Sequence, residues 1–431
     1  MARTATVEEA AGLLRPTDTF GIPLGPGQPS ALLHALGTRD DWTDLHVFGA
    51  LLLDLYPLFT KPGVRYRSGF FGPAERLLID SGAAIDFVPA DFRRFVTIAE
   101  QFAPRVVATA ATPPDADGWM SLSLHAGATV GEIARAAADP DRLLIVETNT
   151  QLPRTAGLPP EYPHAVHIDA ADVVVEGDRP PFALGDAEPS DVERAIASHA
   201  AAFVPDGCTL QTGIGAIPSS VVSLLAEQSG GDYGIHSEMF TTGLMELHRA
   251  GKVTNAQKGI HDGYSVSTFA LGTAELYAWL DGNADVRFLP VEVVNAPHVV
   301  AQNNHVVSIN GAIAVDLFGQ VVADRVLGKQ FSGIGGHEDF VAVSGLQLED
   351  RSLVCLPSTT SLGSETVSRI VADFAPGSTV TTPRHQVDVV VTEFGAAELR
   401  GRTTRERAMA LAAIAHPSVR DELASVAAQL A

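Results

Sequence analysis

Thr209-Leu-Gln-Thr-Gly213-Ile-Gly-Ala-Ile-Pro218-Ser219 opens as a short strand-like run, turns at a G-x-G, and passes through Pro-Ser into the helical stretch Ser220–Glu227. Proline suits that place, because the first turn of a helix has N–H groups with no intrahelical partner to lose. The same grammar occurs near the amino end. Thr19–Leu24 reads as a strand, Gly25-Pro-Gly-Gln-Pro29-Ser30 as the turn, and Ala31–Leu36 as the helix. A strand–glycine–helix unit met twice fits two tandem α/β domains with the marks of a duplication. The stretch from Glu176-Gly-Asp-Arg-Pro-Pro-Phe182 to Pro189 is rich in proline, glycine and acid, and reads as the joint. The expected domains are therefore 1–182 and 183–431.

Outward from these units, short β-branched runs alternate with alanine- and leucine-rich helical stretches. Expected strands include Leu45–Leu51, Arg105–Ala111, Arg142–Glu147, Ser265–Leu271, Val286–Val294, Ser352–Leu356 and Val387–Thr392. Expected helices include Val130–Ala138, Asp191–Phe203, Ser219–Glu227 and Arg405–Ala415. Such alternation predicts an α/β fold of open, mainly parallel sheets covered by helices. With 51 acidic and 29 basic residues the net charge is −22, which argues against nucleic acid or an anionic membrane as partner. An anionic ligand then needs a locally favourable place, such as a helix N-terminus. Two cysteines, Cys208 and Cys355, neither staple so long a chain nor offer metal-ligand spacing. The first twenty residues hold no apolar signal core, and no apolar run nears the ~20 residues of a membrane span. The expectation is a soluble, cytoplasmic protein.

Several segments carry candidate chemistry. The loop Gly213–Pro218 can present backbone N–H groups and a helix N-terminus to a phosphate or a developing oxyanion. Its sixth position is Pro218, so it is neither the dinucleotide G-x-G-x-x-G nor a Walker loop. The alternative is a tight turn in which glycine only permits positive φ. Gly234-Ile-His-Ser-Glu238-Met239 reads as a short strand running toward the helix Gly243–Ala250, with Glu238 at the strand's carboxyl end. Open α/β sheets bind ligands at that end. A carboxylate there is an available nucleophile, and the competing reading is a first-turn acid favoured by the helix dipole. On a strand, His236 shares Glu238's face. Phe331-Ser-Gly-Ile-Gly335-Gly336-His337 is a second glycine loop, either a ligand contact or a surface turn. Arg400-Gly-Arg-Thr-Thr-Arg-Glu-Arg407 gathers four arginines, which either hold a phosphate or form a salt-bridged helix start. H-E-x-x-H, C-x-x-C, an acidic calcium loop and G-x-S-x-G are all missing, so a carboxylate mechanism gains weight and a metal enzyme is disfavoured.

Taken in order, these motifs resemble family I coenzyme A-transferases of the acetyl-CoA hydrolase/transferase branch, which includes 4-hydroxybutyrate and acetate CoA-transferases. The resemblance runs densely through residues 205–425. It uses Leu210-Gln-Thr-Gly-Ile-Gly-Ala-Ile-Pro218, Gly234-Ile-His-Ser-Glu-Met239, Val294-Asn-Ala-Pro297, Ser308-Ile-Asn-Gly311, Ser332-Gly-Ile-Gly-Gly336, Val380-Thr-Thr-Pro-Arg384 and Val391-Thr-Glu-Phe-Gly395. The amino half matches more loosely, through Ser68-Gly-Phe-Phe71 and Asp115-Ala-Asp-Gly-Trp119.

The resemblance implies an active site between two α/β domains, with Glu238 as the nucleophile. It implies CoA contacts at Gly213, Ile214, Gly215, Ala216, Ile217, Asn310, Gly311, Gly335 and Gly336. Glu238 attacks the acyl-CoA carbonyl to give a mixed anhydride and CoA thiolate. The thiolate then takes the glutamyl carbonyl and releases the first acid, leaving a glutamyl-CoA thioester that a second carboxylate discharges. Ping-pong kinetics follow from the covalent intermediate. No cofactor or metal is expected to be permanently bound, coenzyme A and acyl-CoA acting as substrates with a small carboxylic acid, and a homodimer or larger homo-oligomer is implied. The chain departs from the family pattern at His337-Glu338, which is expected near the acid pocket. Two readings compete with transfer: an acyl-CoA hydrolase using the same glutamate, and a non-catalytic acyl-CoA-binding protein.

Overall fold

The structure, a computed structural model, describes residues 3–185, 188–343 and 347–430. They form two compact units, Met1–Gly185 with Val266–Ala296, and Asp186–Ser265 with Pro297–Ala431. The excursion Val266–Ala296 joins the first unit although its sequence lies within the second, so neither unit is a single run of chain.

The first unit is built on an eight-stranded parallel sheet. Its strands are β1 (Arg3–Thr4), β2 (Thr19–Gly21), β3 (Leu45–Gly49), β4 (Val64–Ser68), β5 (Ile85–Phe87), β6 (Val106–Ala111), β7 (Leu143–Thr148) and β8 (Val173–Glu176), in the order β1-β8-β7-β6-β2-β3-β4-β5. Every residue of β6 is buried, as expected where helices cover both faces of a parallel sheet. Phe20, Val47, Val106, Ile145 and Val173 form one core with Leu32, Leu33 and Leu36 of helix α1 (Ser30–Leu36). Val107, Leu144 and Val146 point the other way, toward Ile133 and Ala136 of α2 (Val130–Ala138).

The second unit carries a six-stranded sheet. In chain order come β9 (Thr209–Thr212), β10 (Gly234–Ile235), β11 (Val306–Gly311), β12 (Arg351–Cys355), β13 (Val389–Thr392) and β14 (Gly395–Glu398). They lie in the order β10-β9-β11-β12-β13-β14, all parallel except the last pair. Helix α3 (Asp191–Ala201) packs against α4 (Ala216–Glu227) and across β12 and β13. The opposite face meets α7 (Thr404–Ala413) and α8 (Pro417–Gln429), where Leu411, Ala412, Leu423 and Ala427 bury Val354 and Val390. Helices α5 (Thr242–Arg249) and α6 (His337–Val341) complete the elements that bear on the site.

The two sheets share a plan. Around the glycine-turn strand, β3-β2-β6-β7-β8 in the first unit repeats as β10-β9-β11-β12-β13 in the second. The internal repeat read from two glycine turns is thus a repeat of topology. Among the expected strands, Val286–Val294 is corrected: the strand ends at Phe288 and Pro290 starts a short helix at Val291–Val294. Proline has no N–H for a sheet but fits a helix start. Ser265–Leu271 is likewise broken into two short strands, Ser265–Ser267 and Phe269–Ala270. Among the described residues no helix is long and apolar enough to cross a membrane.

Candidate active site

In a parallel sheet all carboxyl ends emerge along one edge, and in the second unit that edge gathers three of the expected segments. Gly213 follows β9, Asn310 and Gly311 end β11, and Glu238 lies just beyond β10. Hydrogen bonds tie them together. The Gly213 N–H donates to the Ile309 carbonyl at 3.3 Å, and the Asn310 Nδ2 donates to the buried Gln211 Oε1 at 3.4 Å.

The glutamate's segment is anchored from both sides. Gly234 and Ile235 pair with Thr209 and Leu210, and the His236 N–H donates to the Leu210 carbonyl at 3.1 Å. On the outer side the Ile235 N–H donates to Asn255 Oδ1 at 2.9 Å. Lys258, fully buried, lays its stem so close over Gly234 that any Cβ there would collide with its Cγ. Its Nζ donates to the Tyr264 carbonyl at 2.7 Å, and burial pushes its pKa down to about 7. Ser237, fully buried, accepts from the Thr212 N–H at 3.3 Å. Its one hydroxyl proton goes to the Thr212 carbonyl at 3.2 Å or the Met239 carbonyl at 2.9 Å. The residue before Glu238 therefore fixes the turn to the end of β9.

This geometry bears on the helix-acid reading of Glu238. The helix that follows is capped by Thr241 and has no acid in its first turn, so Glu238 is not a dipole-stabilising helix residue. It sits in a bend, half-buried, between wholly buried neighbours. The strand stops before it, so the alternation that put His236 on its face does not apply. His236 is buried, its ring parallel to that of His261 with centroids 6.5 Å apart.

At the glycine loop the helix begins earlier than Ser219 or Ser220. Ala216 and Ile217 are its first residues, Pro218 its third, and Gly215 the cap. Gly215 has φ +124° and ψ 170°, a region closed to other residues, while Ile214 is exposed. The cap residue, Gly215, has no side chain of its own to close the helix. The first unit shows what this position can hold. There the equivalent helix α1 receives the carboxylate of Glu147, from β7, on the N–H groups of Ala31 and Leu32 at 3.1 and 2.9 Å. Burial pushes the Glu147 pKa up to about 7, against the pull of those two bonds. One copy of the strand–glycine–helix unit is closed by a carboxylate of its own; the other starts its helix at a glycine, beside Glu238's edge.

Other expectations fare differently. Gly335 and Gly336 precede α6, whose Phe340 packs with Val306 at the opposite end of β11. Among the described residues, the hydrogen bonds linking Gly213, Asn310 and Ser237 do not extend to these glycines. His337 and Glu338 both spend their side chains on the Thr382 hydroxyl, with His337 Nε2 at 2.9 Å. Burial holds the His337 pKa down to about 4. The arginine cluster takes the structural form. Thr403 and Glu406 make a capping box, Arg405 binds the Ala428 carbonyl at 2.6 Å, and Arg407 binds the Arg384 and Val387 carbonyls. Ser237, Asn255 and Lys258 had no role in the sequence reading. Only Ser237 carried a signal, its place beside the glutamate.

Residues 272–427 match the model of the acetyl-CoA hydrolase/transferase C-terminal domain. Over 426 residues the chain is 36% identical to succinyl-CoA:cyclohexane-1-carboxylate CoA transferase of Geobacter metallireducens, covering 98% of this chain and 94% of that protein. It is 35% identical over 428 residues to 4-hydroxybutyrate coenzyme A transferase of Clostridium kluyveri, covering 98% and 96%. Among solved structures it is similar to RipA from Yersinia pestis, with a TM-score of 0.90, 33% identity, and coverage of 99% of this chain and 97% of that one.

Proposed function

Since the chain belongs to the acetyl-CoA hydrolase/transferase family of CoA-transferases, we propose that it moves CoA from an acyl-CoA to a carboxylic acid through a thioester on Glu238. The observation that carries this reading is the contrast between the two glycine–helix units. One helix start receives the Glu147 carboxylate on the N–H groups of Ala31 and Leu32, whereas α4 starts at Gly215, which has no side chain, and opens on the edge that bears Glu238.

Glu238 attacks the thioester carbonyl, and the C–S bond breaks to give acyl-glutamyl anhydride and CoA thiolate. The thiolate attacks the glutamyl carbonyl, the anhydride C–O bond breaks, and the first acid leaves as its carboxylate. The incoming acid reverses both steps. No net proton or electron is consumed, and thioester and anhydride are comparably activated, so no nucleotide is needed. Each tetrahedral intermediate carries an oxyanion. Backbone N–H donors at Gly215–Ile217 suit it, each such donor being worth about 2.7–4 kcal/mol in comparable sites. Ser237 holds the nucleophile's turn in register with that loop.

The test is intact-protein mass after brief mixing with acetyl-CoA, with Glu238→Ala alongside. A CoA-sized adduct, missing in the variant and discharged by added acetate with formation of new acyl-CoA, is the expected result. Discharge by water at the same rate with or without acid would make the chain a hydrolase. CoA binding without adduct or turnover would make it a binding protein.

A further inference from the structure

Ala312, the residue after β11, offers its carbonyl to the Nη1 of Arg369 at 3.5 Å. The Arg369 backbone is fixed on both sides. Its N–H donates to the Ser358 carbonyl at 2.8 Å, and its carbonyl accepts from the Val315 N–H at 2.8 Å. The guanidinium is thereby held at the carboxyl edge of the second sheet, between the end of β11 and the turn that follows β12. Little there satisfies it. The contact to Ala312 is long, and Nε is buried with no hydrogen-bond partner among the described residues. Glu393, at the end of β13, is the acid whose field reaches it. Both oxygens of Glu393 are already engaged, by the Ser358 N–H at 2.8 Å and the Ser358 hydroxyl at 2.6 Å.

Other arginines of this unit show the ordinary solution. Arg351 and Arg400 reach the buried Asp388 at 3.3 and 3.2 Å. Among the described residues Arg369 has no such pair; a half-buried guanidinium so placed keeps its charge and carries a poorly compensated desolvation cost, which an arriving anion removes.

We propose that Arg369 is a docking point for an anionic oxygen group of the substrates, a carboxylate or a phosphate. It would act on the same sheet edge as Glu238, two to three strand spacings, or ~10–15 Å, along it. The proposal rests on the CoA-transfer reading, in which both substrates are anions. The acceptor acid offers a carboxylate and CoA offers phosphates, and the planar guanidinium fork fits either with two parallel hydrogen bonds.

The experiment uses the full chain, wild type and Arg369→Gln, with acetyl-CoA and acetate varied separately. A second donor is acetyl-3′-dephospho-CoA, and folding is checked by circular dichroism. Loss of a charge-assisted bond predicts a KM rise of about 10- to 100-fold for one substrate, and Arg369→Lys should recover part of it. A rise confined to acetate assigns the acid's carboxylate. A rise confined to acetyl-CoA, with lost preference over the dephospho form, assigns a CoA phosphate. Unchanged KM values for both substrates in a folded variant overturn the proposal. Should Arg369→Gln not fold, Arg369→Lys serves in its place, with a rise of at least severalfold expected because the fork is lost. Calorimetric titration of both proteins with CoA and with acetate gives the same comparison without turnover. Failure of the covalent reaction in wild type and failure of the Arg369 assignment are therefore read separately.

Discussion

At the scale of single residues, Glu238 depends on the side chain before it. The Ser237 hydroxyl bonds the end of β9 to the glutamate's turn, through the Thr212 N–H and the Thr212 or Met239 carbonyl. Ser237→Ala leaves a buried N–H without its acceptor, a cost of about 1–3 kcal/mol, and frees the turn to tilt. We expect a lower melting temperature together with a fall in kcat of about tenfold and little change in KM, as when only transition-state alignment is lost. A drop in melting temperature with kcat intact would reduce Ser237 to a structural bond. The motif named this serine without revealing its task, because a hydroxyl's partners are set by what the fold lays beside it.

Between elements, the glycine–helix units differ in what meets the helix start. In the first unit Glu147 crosses from β7 to cap α1, and its carboxyl is raised to about 7 by burial. Its folded pKa therefore exceeds the unfolded value of about 4.3, so the folded state holds the proton more tightly. Its contribution to stability is full below about pH 4 and is lost as pH rises toward 7. Glu75, also pushed up to about 7 by burial, acts in the same direction. His125 and His164, lowered to about 3 and about 4 by burial, act in the opposite one below pH 6.5. Wild-type stability is thus partly levelled, and the carboxylate's share shows only by difference. Glu147→Gln should gain on wild type as pH rises from 5 to 8, measured as the difference between their denaturant-unfolding free energies; parallel pH curves would refute the assignment. Sequence spacing exposed both glycine turns but not this asymmetry, since Glu147 lies 116 and 115 residues from the two amides it binds.

Over the whole molecule, the net charge of −22 sets the field that an anionic acyl-CoA must cross. Raising ionic strength from about 10 to about 150 mM shortens the screening length from roughly 30 to roughly 8 Å. We expect kcat/KM for acyl-CoA to rise severalfold over that range. A fall would show that the local field of cations such as Arg369 governs the approach. The alternation of β-branched and helical runs determined the α/β class, and two glycine turns announced the repeated unit, because each is a property of a few neighbouring residues. A run of ordered motifs singled out Glu238. The tertiary structure decided what depends on distant partners. It took Val266–Ala296 into the first unit, brought Glu147 to one helix start while the other begins at a bare glycine, and engaged His337, Glu338, Arg405 and Arg407 in internal bonds. It also set a poorly satisfied guanidinium on Glu238's edge of the sheet. Local periodicity encodes an element, but only packing brings together side chains that the sequence keeps a hundred residues apart.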